Sequence, residues 1–261
     1  MSKRFVLTLL AAVLTAQVGT AGHIAVASAE DAVAVAPSNG LSPAACAVTP
    51  MPRTKEYTWM SVAKWNEIHA AQQARAKQGG VDLMFVGDSI TQGWPQDLFE
   101  QEFGRFHAAN FGVGGDHTGN VLYRLDDPAM AALKPRAIVL LIGVNNFFHC
   151  ADDTEQTFAG IRKVVETLRR EYPDARILLN GVLPYGEPQE EAKRVQVRAL
   201  NRMVATLADG RHVVYRDYGP RLLQADGTIS HDIMADNLHP TPKGYRIWAD
   251  AMLPDIETLM K

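Results

Sequence analysis

The sequence predicts an α/β fold with a parallel sheet of about five strands. Three observations carry this expectation. Short apolar runs recur at residues 81–86, 137–142, Arg176–Asn180 and 213–215, with a shorter one at 107–111. The intervals between them carry apolar residues at helical spacing, which suits the crossovers that parallel strands require. The chain has 261 residues, of which 47% are hydrophobic, enough for one medium domain with a real core and an extension.

Taken in order, the first helix is expected over residues 57–77, where Trp59, Val62, Ala63 and Ile68 recur at helical spacing before Gly79-Gly80 ends the element. The run at 81–86 then reads as a buried strand. Phe158, Ile161, Val164, Val165 and Leu168 mark a helix over 155–171, and Val195, Val197, Leu200, Met203 and Val204 mark another over 190–207. Thr241 is a natural N-cap and Pro242 a natural first residue for a closing helix with Tyr245, Ile247, Trp248 and Met252, so His239 lies on the loop just before it. No repeat and no compositional shift follows Tyr57, giving a single domain over 57–261.

Ahead of the domain, Lys3 and Arg4 precede an apolar stretch from residue 5 to 18 and then small residues. This is the layout of a secretory signal over residues 1–29, with cleavage after Ala29 or, alternatively, Ala21. Residues 30–56 are rich in Ala, Val, Pro and Ser without periodicity and are expected to form a flexible leader. The chain has two cysteines, Cys46 in this leader and Cys150 far downstream. Export permits them to pair, which would pin the leader near the loop after Asn146; two free thiols are the alternative.

The residues that carry chemistry cluster at strand ends. Gly87-Asp88-Ser89 follows the first strand and brings a hydroxyl to the edge where open α/β sheets bind ligands. Asn110-Phe111-Gly112-Val113-Gly114-Gly115-Asp116 follows the second, but His117 stands where a dinucleotide-binding loop needs its third glycine. Gly143-Val144-Asn145-Asn146 places an amide that donates without titrating. Asp236-Asn237-Leu238-His239 sets a carboxylate three positions from an imidazole, close enough to orient the ring. Thr91 stands where an α/β-hydrolase elbow requires glycine. The remaining histidines have no metal-ligand spacing on one helix, so neither metal nor cofactor is expected. His149 and His231 fit either the mouth of a site or solvated loops.

The order of serine, glycine, asparagine and then aspartate with histidine, each at a strand-to-helix junction, resembles the SGNH (GDSL) hydrolase family over residues 81–253. The blocks from Phe85 to Ser89 and from Asn110 to Asp116, with Leu183-Pro184, look most like its platelet-activating-factor acetylhydrolase catalytic-subunit branch and bacterial esterase relatives. Asn146 replaces the aspartate usual in the third block, a change that branch shares. The resemblance implies a flavodoxin-like three-layer α/β/α sandwich. It also implies Ser89 as nucleophile, His239 as base, Asp236 as the group orienting it, and an oxyanion hole from the Ser89 and Gly112 N–H groups with the Asn145 amide. Asp88, Asn146 and Asp116 would line the site.

The expected function is therefore a secreted or periplasmic serine esterase acting on short, acetyl esters, with acetylated carbohydrate as the substrate class. A lysophospholipase or thioesterase would use the same residues, and a non-catalytic carbohydrate-binding module is the third reading. Formal charge is −3 with basic residues scattered among acidic ones, so neither nucleic acid nor an anionic membrane is an expected partner. No stretch after the signal is apolar enough to span a bilayer, and the oligomeric state is left open.

Overall fold

The computed structural model describes residues 43–187 and 190–261. The expected signal at 1–29 and the first part of the expected leader, through residue 42, lie outside the described residues. Helices α1 (Pro43–Val48) and α2 (Val62–Lys77) precede strand β1 (Leu83–Gly87). Helices α3 (Ser89–Gln92) and α4 (Gln96–Phe103) lead to β2 (Ala108–Gly112), and α5 (Thr118–Leu125) and α6 (Pro128–Ala131) lead to β3 (Ala137–Leu141). Helix α7 (Thr154–Glu171) connects to β4 (Arg176–Asn180), α8 (Glu191–Ala205) to β5 (Val213–Arg216), and α9 (Pro242–Leu259) closes the chain.

The five strands pair in parallel in the order β2-β1-β3-β4-β5, with helices on both faces. This is the expected three-layer α/β/α sandwich. Phe85 on β1 stands level with Asn110 on β2 and Val139 on β3, and every residue of β1 and β3 is buried. That double burial is why these strands read as continuous apolar runs instead of alternating ones. The strand order reverses between β1 and β3, which opens a crevice at their carboxyl ends. Among the described residues no helix is long and apolar enough to cross a membrane.

Helix α2 starts five residues later than spacing suggests. Residues 57–60 close a tight turn in which Tyr57 N donates to Met60 O and Met60 N to Tyr57 O, at 3.1 and 3.2 Å. Ser61 then caps the helix, its Oγ accepting from Lys64 N at 3.0 Å. Trp59 is thereby released from the helix.

The expectation of a leader without structure does not hold for residues 43–56. Helix α1 packs on α5 and α7, with Cys46 and Ala47 fully buried. Thr118 Oγ1 donates to Ala47 O at 2.7 Å, and Asn120 Nδ2 to Met51 O at 2.9 Å. The lack of periodicity reflects a segment held by long-range partners, which leave no local pattern. Cys46 and Cys150 are joined in a disulfide with their Cα atoms 5.7 Å apart across a separation of 104 residues. Closing so long a loop restricts the unfolded chain, so reduction should lower stability by about 2–5 kcal/mol. Urea denaturation with and without reductant measures this, and equal midpoints would show that the bond contributes nothing.

Candidate active site

Ser89 is the first residue of α3, immediately beyond β1. Asp88 caps that helix, its Oδ1 accepting from Ile90 N at 2.9 Å, so the chain turns sharply and the serine stands at the sheet edge. Its N–H, at the first position of the helix, has no partner within the helix. Asn145 follows β3 and enters a single wide turn at Asn146–Cys150 that carries Phe148 and His149 outward.

Asp236 and His239 share a turn that the carboxylate itself closes. Asp236 Oδ1 accepts from His239 N at 2.7 Å and from Leu238 N at 3.1 Å, while Asn237 between them takes φ 56°. Oδ2 is then left to meet His239 Nδ1 at 2.6 Å, and the far ring nitrogen, Nε2, lies 2.8 Å from Ser89 Oγ. An ionised carboxylate only accepts, so Nδ1 carries the proton and Nε2 offers its lone pair to the hydroxyl. Burial pushes Asp236 upward, but the His239 ring, two backbone N–H donors and the ring's charge outweigh it and hold the carboxyl below its usual range.

Serine and histidine open into a cavity of about 560 Å³, a size suited to a small ligand. Trp59, Met60, Phe148 and Leu238 form an apolar wall, and Gln92, Gly114, Gly115 and Asn145 supply the polar side. Burial, with Arg53 and Lys55 nearby, pushes His149 down to about 4, so this lining ring is neutral at pH 7. His231 lies off the cavity and its Nδ1 pairs with Ala235 O at 3.0 Å.

Gly112 does not face the cavity. Its N–H donates to Asn110 Oδ1 at 2.9 Å, and a Cβ there would stand 2.3 Å from Gln92 N, so this glycine serves the close approach of α3 to β2. Gly115 lines the cavity instead, and no acceptor among the described residues pairs with its N–H. Asn145 Nδ2 donates one hydrogen to Asp116 O at 3.0 Å, which leaves its second for the cavity. Ser89 N, Gly115 N and Asn145 Nδ2 are thus candidate donors to a group bound in the cavity.

Asp88, Asn146 and Asp116 stand behind the site and do not line it. Asn146 accepts from Thr118 N at 3.0 Å and donates to Thr118 Oγ1 and Asp152 Oδ2 at 2.8 and 2.9 Å. Its side chain therefore fastens the loop after β3 to α5. Asp116 is enclosed by Trp65 Nε1 and Arg124 Nε, each at 2.7 Å. The wall residues Trp59, Met60 and Phe148 had no signal in the sequence, since their place depends on the turn at 57–60 and on the wide turn after Asn145.

Asp88 is buried, with Oδ2 making no hydrogen bond among the described residues. Burial pushes it up to about 7, against the opposing pull of the Ile90 N–H and the His239 charge. The folded state thus binds this proton more tightly than the unfolded chain, and stability present below the ordinary carboxylate range is lost as pH rises to about 7. Asp88→Asn keeps the cap and removes the charge. Its unfolding midpoint should therefore fall less than that of the native chain between pH 4.5 and 7.5, roughly the window over which Asp88 ionises. Parallel profiles would place the ionisation elsewhere.

Residues 85–247 match the model of the GDSL-like lipase/acylhydrolase family. The chain is 35% identical over 184 residues to the platelet-activating factor acetylhydrolase IB subunit alpha1 of Bos taurus, covering 70% of this chain and 78% of that protein. The alpha2 subunit of Gallus gallus is 32% identical over 183 residues, covering 70% and 79%. Among solved structures, a GDSL-like lipase from Bacteroides thetaiotaomicron has the same fold, with TM-score 0.59 at 21% identity over 74% of this chain and 97% of that one. A catalytic mutant of an acetylxylan esterase from Geobacillus stearothermophilus matches with TM-score 0.54 at 19% identity, over 68% and 94%. With the family model spanning more than half of the chain and curated relatives at this identity, the chain belongs to the GDSL-like lipase/acylhydrolase family and is an ester hydrolase.

Proposed function

We propose that the protein is a serine acetylesterase acting on acetylated carbohydrate. The observation that carries the reading is the unbroken chain from Ser89 Oγ through His239 to Asp236, at 2.8 and 2.6 Å, at the edge of an open cavity. Ser89 Oγ attacks the ester carbonyl carbon while its proton passes to His239 Nε2. Asp236 stabilises the imidazolium and keeps Nδ1 protonated throughout. The oxygen that gains charge is received by Ser89 N, Gly115 N and Asn145 Nδ2. His239 then gives its proton to the departing alcohol, and water repeats the sequence on the acyl-enzyme to release the acid.

Two observations support a small acyl group and a sugar alcohol. The relatives at 32–35% identity are named acetylhydrolases, and one fold neighbour is an acetylxylan esterase. Trp59 and Phe148 are 55% and 46% exposed at the cavity, offering flat apolar faces of the kind a sugar ring packs on. The apolar wall also favours a second reading, a lipid or thioester acylhydrolase. Rates on p-nitrophenyl esters from acetate to octanoate separate them: acetate fastest supports the acetylesterase, and rates that climb with length select the lipid enzyme. Ser89→Ala should lower turnover by roughly 10⁴-fold or more without altering the melting temperature. Turnover near the native level would move the nucleophile elsewhere.

We further propose that the protein is exported. The charged, apolar and small-residue layout of residues 1–29 supports this, as does the Cys46–Cys150 bond, which persists in oxidising compartments. The mass of protein recovered from a secreting host should correspond to a chain beginning at Gly22 or Glu30. Retention of Met1 in membrane-bound protein would overturn it.

A further inference from the structure

The Gly114–Gly115 peptide is gripped from behind by a buried cation. Arg53 Nη2 donates to Gly114 O at 2.8 Å, and the side chain is 3% exposed. The carbonyl of Gly114 and the N–H of Gly115 belong to one peptide plane, and in a trans peptide they point in opposite directions. Fixing the carbonyl on Arg53 therefore turns the Gly115 N–H away from the guanidinium, toward the side where Ser89, Asn145 and His239 line the cavity.

The surroundings leave this turn little freedom. Gly114 N donates to Gln92 Oε1 at 2.7 Å, and Asp116 N donates back to Val113 O at 3.1 Å. Gly115 has φ +70°, and a Cβ on it would stand 2.3 Å from the Trp59 ring and 2.9 Å from Arg53 Nη2. Arg53 is itself held, its guanidinium carbon 5.3 and 5.6 Å from the centroids of Tyr57 and Trp59 and its Nη2 3.6 Å from Asp116 Oδ1. Yet Nε and Nη1 have no hydrogen-bond partner among the described residues. A buried guanidinium with only part of its donors used is costly. Among the described residues its shortest polar contact is the one to the Gly114 carbonyl.

We propose that Arg53 is a positioning residue of the oxyanion hole, clamping the Gly114 carbonyl so that the Gly115 N–H is aimed at the developing oxyanion. A cation on the carbonyl also polarises the peptide and makes that N–H a stronger donor. This rests on the serine-esterase reading of the site. It assigns a catalytic consequence to a segment ahead of the sheet, joined to the domain by Cys46.

The test compares Arg53→Met and Arg53→Lys with the native protein on p-nitrophenyl acetate, alongside inhibition by methylboronic acid, whose serine adduct is tetrahedral and anionic. Misaiming one donor should lower kcat roughly 10- to 100-fold in Arg53→Met with KM changed less than about twofold. Affinity for the boronic acid should fall with kcat/KM, and lysine should restore most of both. An unchanged kcat in well-folded Arg53→Met, or a rise in KM alone, would overturn the proposal. So would a lysine variant as impaired as methionine. If Arg53→Met does not fold, Arg53→Lys and the boronic acid decide, with a loss of at least about threefold in both kcat and inhibitor affinity expected for a clamp made less rigid. Ser89→Ala separates the two claims: its activity would sink the reading of the site, whereas its silence beside an Arg53→Met of native rate would sink only the clamp.

Discussion

One buried carboxylate organises everything behind the reacting atoms. Asp116 is fully enclosed and meets Trp65 Nε1 from α2, Arg124 Nε from α5 and Arg53 Nη2 from the segment before α2. Burial pushes its pKa up, and Arg124, the Trp65 N–H and Arg53 pull it back. Arg124 carries the connection further, donating to Phe111 O on β2 at 2.8 Å, to Gly87 O on β1 at 3.2 Å and to Gln72 Oε1 on α2 at 3.0 Å. Removing one partner from such a buried set strands the others and costs about 3–5 kcal/mol. The ends of two strands, two helices and the loop of Gly114 and Gly115 are thus fixed by one charge, and Asn145 is added through the Asp116 carbonyl.

The sheet decides where that frame can serve chemistry. In the order β2-β1-β3-β4-β5 the crevice lies beside β1, and the three donors come from the ends of β1, β2 and β3. The acid–base pair comes from elsewhere, the loop before α9, and its side chains are 40% exposed for His239 and 57% for Asp236. In the proposed mechanism, fixed dipoles sit on the buried side and the group that takes and returns a proton sits on the wet side. That division suits electrostatic preorganisation, since donors that need not reorganise cost nothing at the moment charge develops.

Much of this was legible in the sequence, for physical reasons that can be named. Strands buried on both faces leave continuous apolar runs, and strand β4 was read to the residue. Ser89, Asn145 and the pair Asp236 and His239 announce themselves by local chemistry at strand and helix ends. The family resemblance implies Gly112 as an oxyanion donor, but its N–H is taken by Asn110 and the close approach of α3 accounts for its lack of a side chain. Asp116 was read as lining the site when it is the hub behind it. Both errors arise where a residue's meaning depends on partners far away in sequence. The segment from residue 43 to 60 is the extreme case, because α1, Arg53 and Trp59 owe their places to Cys150, Gly114 and the turn before Ser61.

The charges nearest the donors from behind are those of Arg53, Arg124 and Asp116. Two guanidiniums, Arg53 and Arg124, share the single carboxylate of Asp116, which leaves that buried cluster positive behind the proposed oxyanion hole. A second buried carboxyl, Asp88, caps α3 beside Ser89, and burial pushes it up to about 7, so that near neutrality a large share of it carries no charge. An ionised Asp88 would oppose a negative oxygen forming beside Ser89, whereas a protonated one does not. His117, pushed down to about 3 by burial and by the neighbouring His149 and Arg53, is neutral and adds no further cation. The same burial that makes each of these groups costly to charge also leaves little water to screen them, which strengthens the field they exert on the oxygen that becomes an anion in the proposed reaction.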